Sequence, residues 1–144
     1  MGIIGGIERE ILLALLSDVL LVLPSGLVRL QDGCDYDRLK FPEGSLSFDE
    51  TSENTPSGVI YAAALTGQLS PVNIKNSGIL SRYTNKPFIC IFKLKSGGAK
   101  ILGDTAISCK LVYNAEVSDD FSTSAYNVEI TCRNSHESYF VDNF

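Results

Sequence analysis

Apolar and polar residues alternate along much of this chain with a period of two, the spacing of a strand that buries one face. Val59 to Leu69 places Val59, Tyr61, Ala63, Leu65 and Leu69 on one face and Ile60, Ala62, Ala64, Thr66 and Gln68 on the other, which predicts a long strand. Ile107, Cys109, Leu111 and Tyr113 repeat the pattern, as do Tyr126, Val128, Ile130 and Cys132. Phe88 to Lys95 departs from it, because its first five residues are all apolar. Both faces of that strand are expected to be covered before Lys93 and Lys95 emerge into solvent. Ser96-Gly97-Gly98 then supplies a tight turn, since glycine accepts the positive φ such turns require, and Ala99 to Leu102 returns as the hairpin partner.

Elsewhere the pattern is less regular. The apolar segment 7–23 mixes helix-favouring Leu and Ala with strand-favouring Val, so its placement is open. Two short strands broken at Ser17-Asp18 are favoured, with a helix as the alternative. Pro24-Ser25-Gly26 closes this segment, and Leu27 to Leu30 runs as a strand into a turn at Gln31-Asp32-Gly33. Residues 33–57 are polar and predict a loop containing one strand, Ser45 to Asp49, followed by an acidic mobile loop from Glu50 to Ser57. After Pro71 a short helix is expected over Asn73 to Tyr83, with Asn76 and Ser77 capping it ahead of Ile79. Residues 116–124 form a second acidic, Ser-rich loop long enough to project beyond the sheet. The tail carries Tyr139, Phe140, Val141 and Phe144, an apolar patch that has to dock on this domain or on a neighbour. The expectation is a mostly β chain: a single domain over residues 1–144, an antiparallel β-sandwich or barrel-like body with one short helix and long projecting loops.

Composition narrows the classes of partner. A 44% hydrophobic, 20% charged chain of 144 residues has the makings of one folded core. Its net charge of -5 and its scattered Lys and Arg argue against a phosphate-binding surface, so no direct sequence-specific nucleic-acid contact is expected. The densest basic group, Lys93, Lys95 and Lys100, reads as a solvated hairpin. The run Ile11 to Leu23 is preceded by Glu8, Arg9 and Glu10 in place of a basic region and is short and interrupted for a membrane helix. No membrane partner is expected. Cys34, Cys90, Cys109 and Cys132 make no CxxC pair. Their number permits two disulfides, but the apolar register of the last three favours reduced core thiols.

Candidate chemistry is sparse. His136 stands alone as the chain's histidine and reads as a solvent-exposed loop residue, since catalysis needs a partnered group and no GxSxG-type nucleophile turn is present. Asp32, Asp35 and Asp37 suggest a calcium loop with Glu43 as twelfth ligand, but Asp37 occupies the sixth position, where such a loop needs Gly. Asp119-Asp120 lie in a loop that cannot hold two carboxylates at a catalytic separation. Gly97-Gly98 lacks a phosphate-binding pattern. The expectation is a non-enzymatic protein with no metal and no cofactor.

Several segments, in order, resemble small virion proteins of tailed phages and prophages of Bacteroidetes hosts: FPEGSLSFDE, SGVIYAAALTGQLS, PFICIFKLKSGGAKILGD, ISCKLVYNAEV and AYNVEITCRNSHESYFV, together spanning Phe41 to Val141. The resemblance is one of turn-and-strand pattern. It implies a tail-tube, tail-completion or neck-ring component: a homo-oligomeric ring, assembled in the host cytoplasm into the virion, that meets other tail, neck or portal proteins. On that expectation the subunit contacts fall on the acidic loops and the aromatic end, at Asp49, Glu50, Glu53, Asp119, Asp120, Phe121, Tyr139, Phe140 and Phe144. A secreted or cell-surface β-sandwich that binds carbohydrate or protein through its loops is the alternative.

Overall fold

A computed structural model describes residues 7–119 and 124–141 of the chain. The ambiguous N-terminal segment is extended: strand β1 (Ile7–Leu15) and strand β2 (Val19–Val22) are separated by one 3-10 turn over Leu16–Asp18. Strand β3 (Val28–Leu30) folds back on β2 as a two-stranded hairpin. β1 joins β4 (Asp37–Lys40), β7 (Phe88–Leu94), β8 (Ala99–Leu102) and β11 (Tyr139–Val141) in a five-stranded sheet of order β11-β8-β7-β1-β4. A four-stranded sheet of order β5-β6-β10-β9 is built from β5 (Ser47–Thr55), β6 (Gly58–Leu69), β9 (Lys110–Glu116) and β10 (Ala125–Asn134). Every pairing is antiparallel.

The two larger sheets pack face to face, which makes the body sandwich-like. Ile11 and Leu13 of β1, Phe88, Cys90 and Phe92 of β7 and Leu102 of β8 meet Ala63, Leu65 and Leu69 of β6, Tyr126, Val128, Ile130 and Cys132 of β10 and Leu111 of β9 in one buried cluster. The alternate residues of the same strands, Leu12, Ala14, Ile89, Ile91, Ala99 and Ile101, form a second cluster on the other face of the five-stranded sheet, roofed by Val19, Val22, Val28 and Leu30 of the β2–β3 hairpin. This explains why β1 and β7 read as continuous apolar runs: both faces of both strands are covered. It also explains why strand prevails over helix in 7–23. Strand geometry sends Ile11 and Leu13 one way and Leu12 and Ala14 the other, into two separate cores.

Helix α1 (Ile74–Tyr83) packs between β4 and β9 and buries Leu80 and Tyr83. Its cap is Asn73, whose side chain accepts from Asn76 N at 2.8 Å, and not Asn76 or Ser77, which lie inside the first turn. Tyr83 ties helix to sheet: its hydroxyl donates to Asp37 Oδ2 at 2.5 Å and lies 3.2 Å from Leu13 O. Burial, and then the hydrogen bond to Asp37, push the phenol well above its ordinary pKa.

The polar stretch 33–57 departs most from expectation. It holds two strands, β4 and β5, and the expected mobile loop from Glu50 to Ser57 is instead the outer half of β5 and its turn into β6. β5 pairs with β6 along its full length, from Ser47 opposite Thr66 to Thr55 opposite Gly58. A polar sequence suffices because β5 is an edge strand with one face in water, and its backbone bonds come from β6. The described tail docks on the domain itself, as β11 beside β8. Of the second predicted loop, residues 120–123 lie outside the described residues.

Candidate functional site

Lys100 is the first surprise among the candidate residues, because it does not lie in a solvated hairpin. It stands opposite Phe92 in the β7–β8 ladder, on the same face as Leu102, and therefore points between the sheets. Its side chain is 9% exposed and sits 3.5 Å from Glu50 Oε1 and 3.4 Å from Glu137 Oε1. The ammonium also lies 4.7 Å from the Phe140 ring centroid and 5.8 Å from that of Phe48, a cation–π arrangement on two sides. Glu50, 10% exposed, comes from β5 on the opposite sheet and accepts from Ser138 N at 3.1 Å and Ser138 Oγ at 3.0 Å. One carboxylate thus joins both sheets and the C-terminal segment. Glu50, expected at a subunit surface, is spent inside the fold.

A second polar knot lies beside it. Asp104 accepts from Ala106 N and Ile107 N at 2.8 Å each, from Asn134 Nδ2 at 3.3 Å and from His136 Nε2 at 3.1 Å. Burial alone would raise its pKa, but the hydrogen bonds from Ile107, Ala106, His136 and Asn134 outweigh that and hold it below the usual carboxylate value. His136 is not a free loop histidine. Its ring stacks on Tyr139 at 4.2 Å, its Nδ1 lies 2.8 Å from Glu137 O, and its Nε2 faces Asp104. Desolvation would lower its pKa, yet the Glu137 carbonyl and the Asp104 carboxylate prevail and raise it. Both ring nitrogens face acceptors, the arrangement of a clamp more than of a base waiting for substrate.

The remaining surface candidates scatter. Asp49 and Glu53 lie on the solvent face of β5, where Glu53 reaches Arg133 at 3.8 Å across the sheet. Tyr139 is half-buried against His136, and Phe140 is exposed. Asp119 is exposed at the end of the described part of its loop, while Asp120, Phe121 and Phe144 lie outside the described residues. Asp37, read as a possible calcium ligand, instead accepts from Tyr83 and pairs with Arg82 at 3.3 Å. Among the described residues no group of three or more His, Cys, Asp and Glu is placed to hold a metal ion, and no helix is long and apolar enough to cross a membrane.

What the surface does offer is sheet edges. Among the described residues nothing pairs with the outer side of β5 or of β9. Beside the first half of β9 runs a groove of about 470 Å³, bounded on its far side by Asn85, Lys86 and Pro87. Val112 on β9 and Val117 just beyond it are exposed, as are Leu20, Leu23 and Leu27 around the β2–β3 hairpin. The class these features define is a mostly β, sandwich-like domain whose four-stranded sheet leaves β5 and β9 at open edges. Comparison with family models, with curated proteins and with solved structures finds no match.

Proposed function

We propose that this chain is a non-enzymatic structural protein of a tailed-phage virion, whose subunits join through the edges of the four-stranded sheet into a closed ring in the tail or neck. The observation that carries the ring is the strand order β5-β6-β10-β9, antiparallel throughout. With an even number of strands, the two open edges run in opposite directions. A copy rotated about a common axis therefore presents β5 antiparallel to β9 of its neighbour, and repetition of that head-to-tail contact closes a ring.

Charge and register support the same contact. Asp49 and Glu53 make the β5 edge acidic, and Lys86 and Lys110 border the β9 edge. With Lys110 set opposite Glu53 of the next copy, Val112 meets Thr51, Asn114 meets Asp49 and Glu116 meets Ser47, with no like charges facing. A shift of two residues sets Glu116 against Asp49 and Val112 against Glu53. The placement in a virion rests on the resemblance of the segments from Phe41 to Val141.

Light scattering on the purified protein is expected to give a mass several times that of the 15.6 kDa chain. Lys110→Glu is expected to dissociate the ring, and adding Glu53→Lys to restore it. A stable wild-type monomer overturns the ring, and a mass unmoved by Lys110→Glu overturns this edge contact. Absence of the chain from purified virions by mass spectrometry overturns the virion assignment.

A further inference from the structure

We propose that the outer face of the four-stranded sheet carries a binding site for a neutral oligosaccharide, seated on the row of amides formed by Gln68, Asn127 and Asn114. The inference does not rest on ring assembly, because strands that join edge to edge pair through backbone groups and leave this face open. Alternation along the strands sends Leu65, Leu69, Leu111, Val128 and Ile130 into the core and sets the residues between them on the outer face. There Gln68 of β6 stands opposite Asn127 of β10, and Asn127 opposite Asn114 of β9. The neighbouring row is Ser47, Thr66, Glu129 and Val112, one from each strand. A hollow of about 480 Å³ lies over Thr66, Gln68, Asn114, Asn127 and Glu129 and reaches Ser45. That volume falls within the roughly 300–1,000 Å³ of small-ligand sites.

The amide row is wired together, and the wiring leaves groups to spare. Gln68 Nε2 donates to Asn127 Oδ1 at 3.2 Å, while Asn127 Nδ2 donates to Asn114 Oδ1 at 2.9 Å and to Glu116 Oε1 at 3.0 Å. Asn127 spends both N–H groups in this way and is fixed as the centre of the row. On either side of it, Gln68 keeps its carbonyl oxygen and one N–H, and Asn114 keeps both N–H groups. The Glu129 carboxylate has no partner among the described residues. Gln68, Asn114 and Glu129 are all exposed. Ser45 Oγ donates to Gln68 O at 3.3 Å and so still has lone pairs to offer.

This mixture selects the ligand. A sugar hydroxyl donates and accepts at once, so adjacent hydroxyls can meet an amide N–H and a carboxylate or carbonyl side by side. A phosphate only accepts, and an ammonium only donates. No Lys or Arg lines the hollow, whereas Glu129 lines it and Glu116 is hydrogen-bonded to its central amide, so anions are repelled. A peptide adds to a sheet through free backbone groups at an edge. Here β6 and β10 are paired on both sides, and only side chains are on offer. Val112, 60% exposed at the rim, supplies an apolar surface for the C–H groups of a sugar ring. Because the amides already hold one another in place, little side-chain freedom is lost on binding.

The test exposes the full chain to a printed array of neutral hexasaccharides of glucose, mannose and N-acetylglucosamine, with sulfated glycans and uncharged Ser-Gly peptides alongside. The neutral hexasaccharide with the strongest signal is then titrated by calorimetry. Saturable binding is expected, weakened about tenfold in Asn114→Ala and again in Glu129→Ala, the effect of removing one hydrogen bond. Both side chains are exposed, so the variants should fold as wild type does. Arg133→Ala, on the same face but outside the hollow, should bind unchanged. Silence across the neutral hexasaccharides, or preference for the sulfated glycans or the peptides, overturns the proposal. Affinity unmoved in both Asn114→Ala and Glu129→Ala overturns it equally.

Discussion

Lys100 places a positive charge where the strand pattern would put an apolar residue, and the fold meets it with Glu50, Glu137 and two aromatic rings. Removing one member of a buried ion pair leaves the other uncompensated, which costs more than the pair itself contributes. Glu50→Ala is therefore expected to lose about 3 kcal/mol in denaturant unfolding. Asp49→Ala, one residue away on the solvent face, should stay within about 0.5 kcal/mol of wild type. Equal losses would show that Glu50 is not the inner residue. The His136–Asp104 pair gives a signature in pH. The folded pKa of His136 is raised, so its contribution is full below its unfolded value of about 6.5 and is lost as pH rises through the folded value. Asp104 has the opposite sense: its folded pKa is lowered, so its contribution is present above the ordinary carboxylate value and is lost as pH falls through the folded one. The stability gap between wild type and His136→Ala is expected to be wider at pH 5.5 than at pH 8.5 by urea titration, about one unit below and about two above the free imidazole. A gap independent of pH would make the stacking on Tyr139 its whole contribution.

At the scale of elements, Gly67 marks a close contact between β6 and the segment carrying Phe41 and Leu46. A Cβ built there would lie 2.8 Å from Leu46 Cδ2 and 3.0 Å from Phe41 Cδ2, so Gly67→Ala is expected to cost about 1–3 kcal/mol in thermal or chemical unfolding, as overpacking does. Full stability in that variant would mean Leu46 and Phe41 can move aside. Elements with a clear apolar, turn or capping signal were legible in the sequence: β6, β7, β8, β10 and α1 fall where their sequences place them. β4 and the outer half of β5 were not, because Asp37–Lys40 and the polar run after Asp49 carry little apolar signal and are strands only by virtue of β1 and β6 beside them. The site was less legible still. The inward direction of Lys100 follows from its parity with Leu102, but its partner Glu50 lies in a segment that reads as a loop. Only the pairing of β5 with β6, together with the packing of the sheets, brings them together.

At the scale of the molecule, the covering of the five-stranded sheet on both faces sets the terms for how the chain is made. β1 is among the first described residues to be synthesised, and it occupies an interior position between β4 and β7. β4 follows within a few tens of residues, but β7, which pairs with Leu12 through Ile91 and with Leu13 through Cys90, arrives only after both strands of the β5–β6 hairpin and α1. The roof over its other face, the β2–β3 hairpin, forms early and locally, yet it has only half a sheet to cover until then. β1, wholly apolar from Ile11 to Leu15, must therefore wait, unpaired on one edge, while most of the chain emerges from the ribosome. Such long-range pairing slows folding and leaves an aggregation-prone edge in the open. Anything that lengthens the chain between β1 and β7 prolongs that exposure. Yield of soluble protein in expression is thus expected to depend on the interval before Phe88–Leu94 pairs with β1.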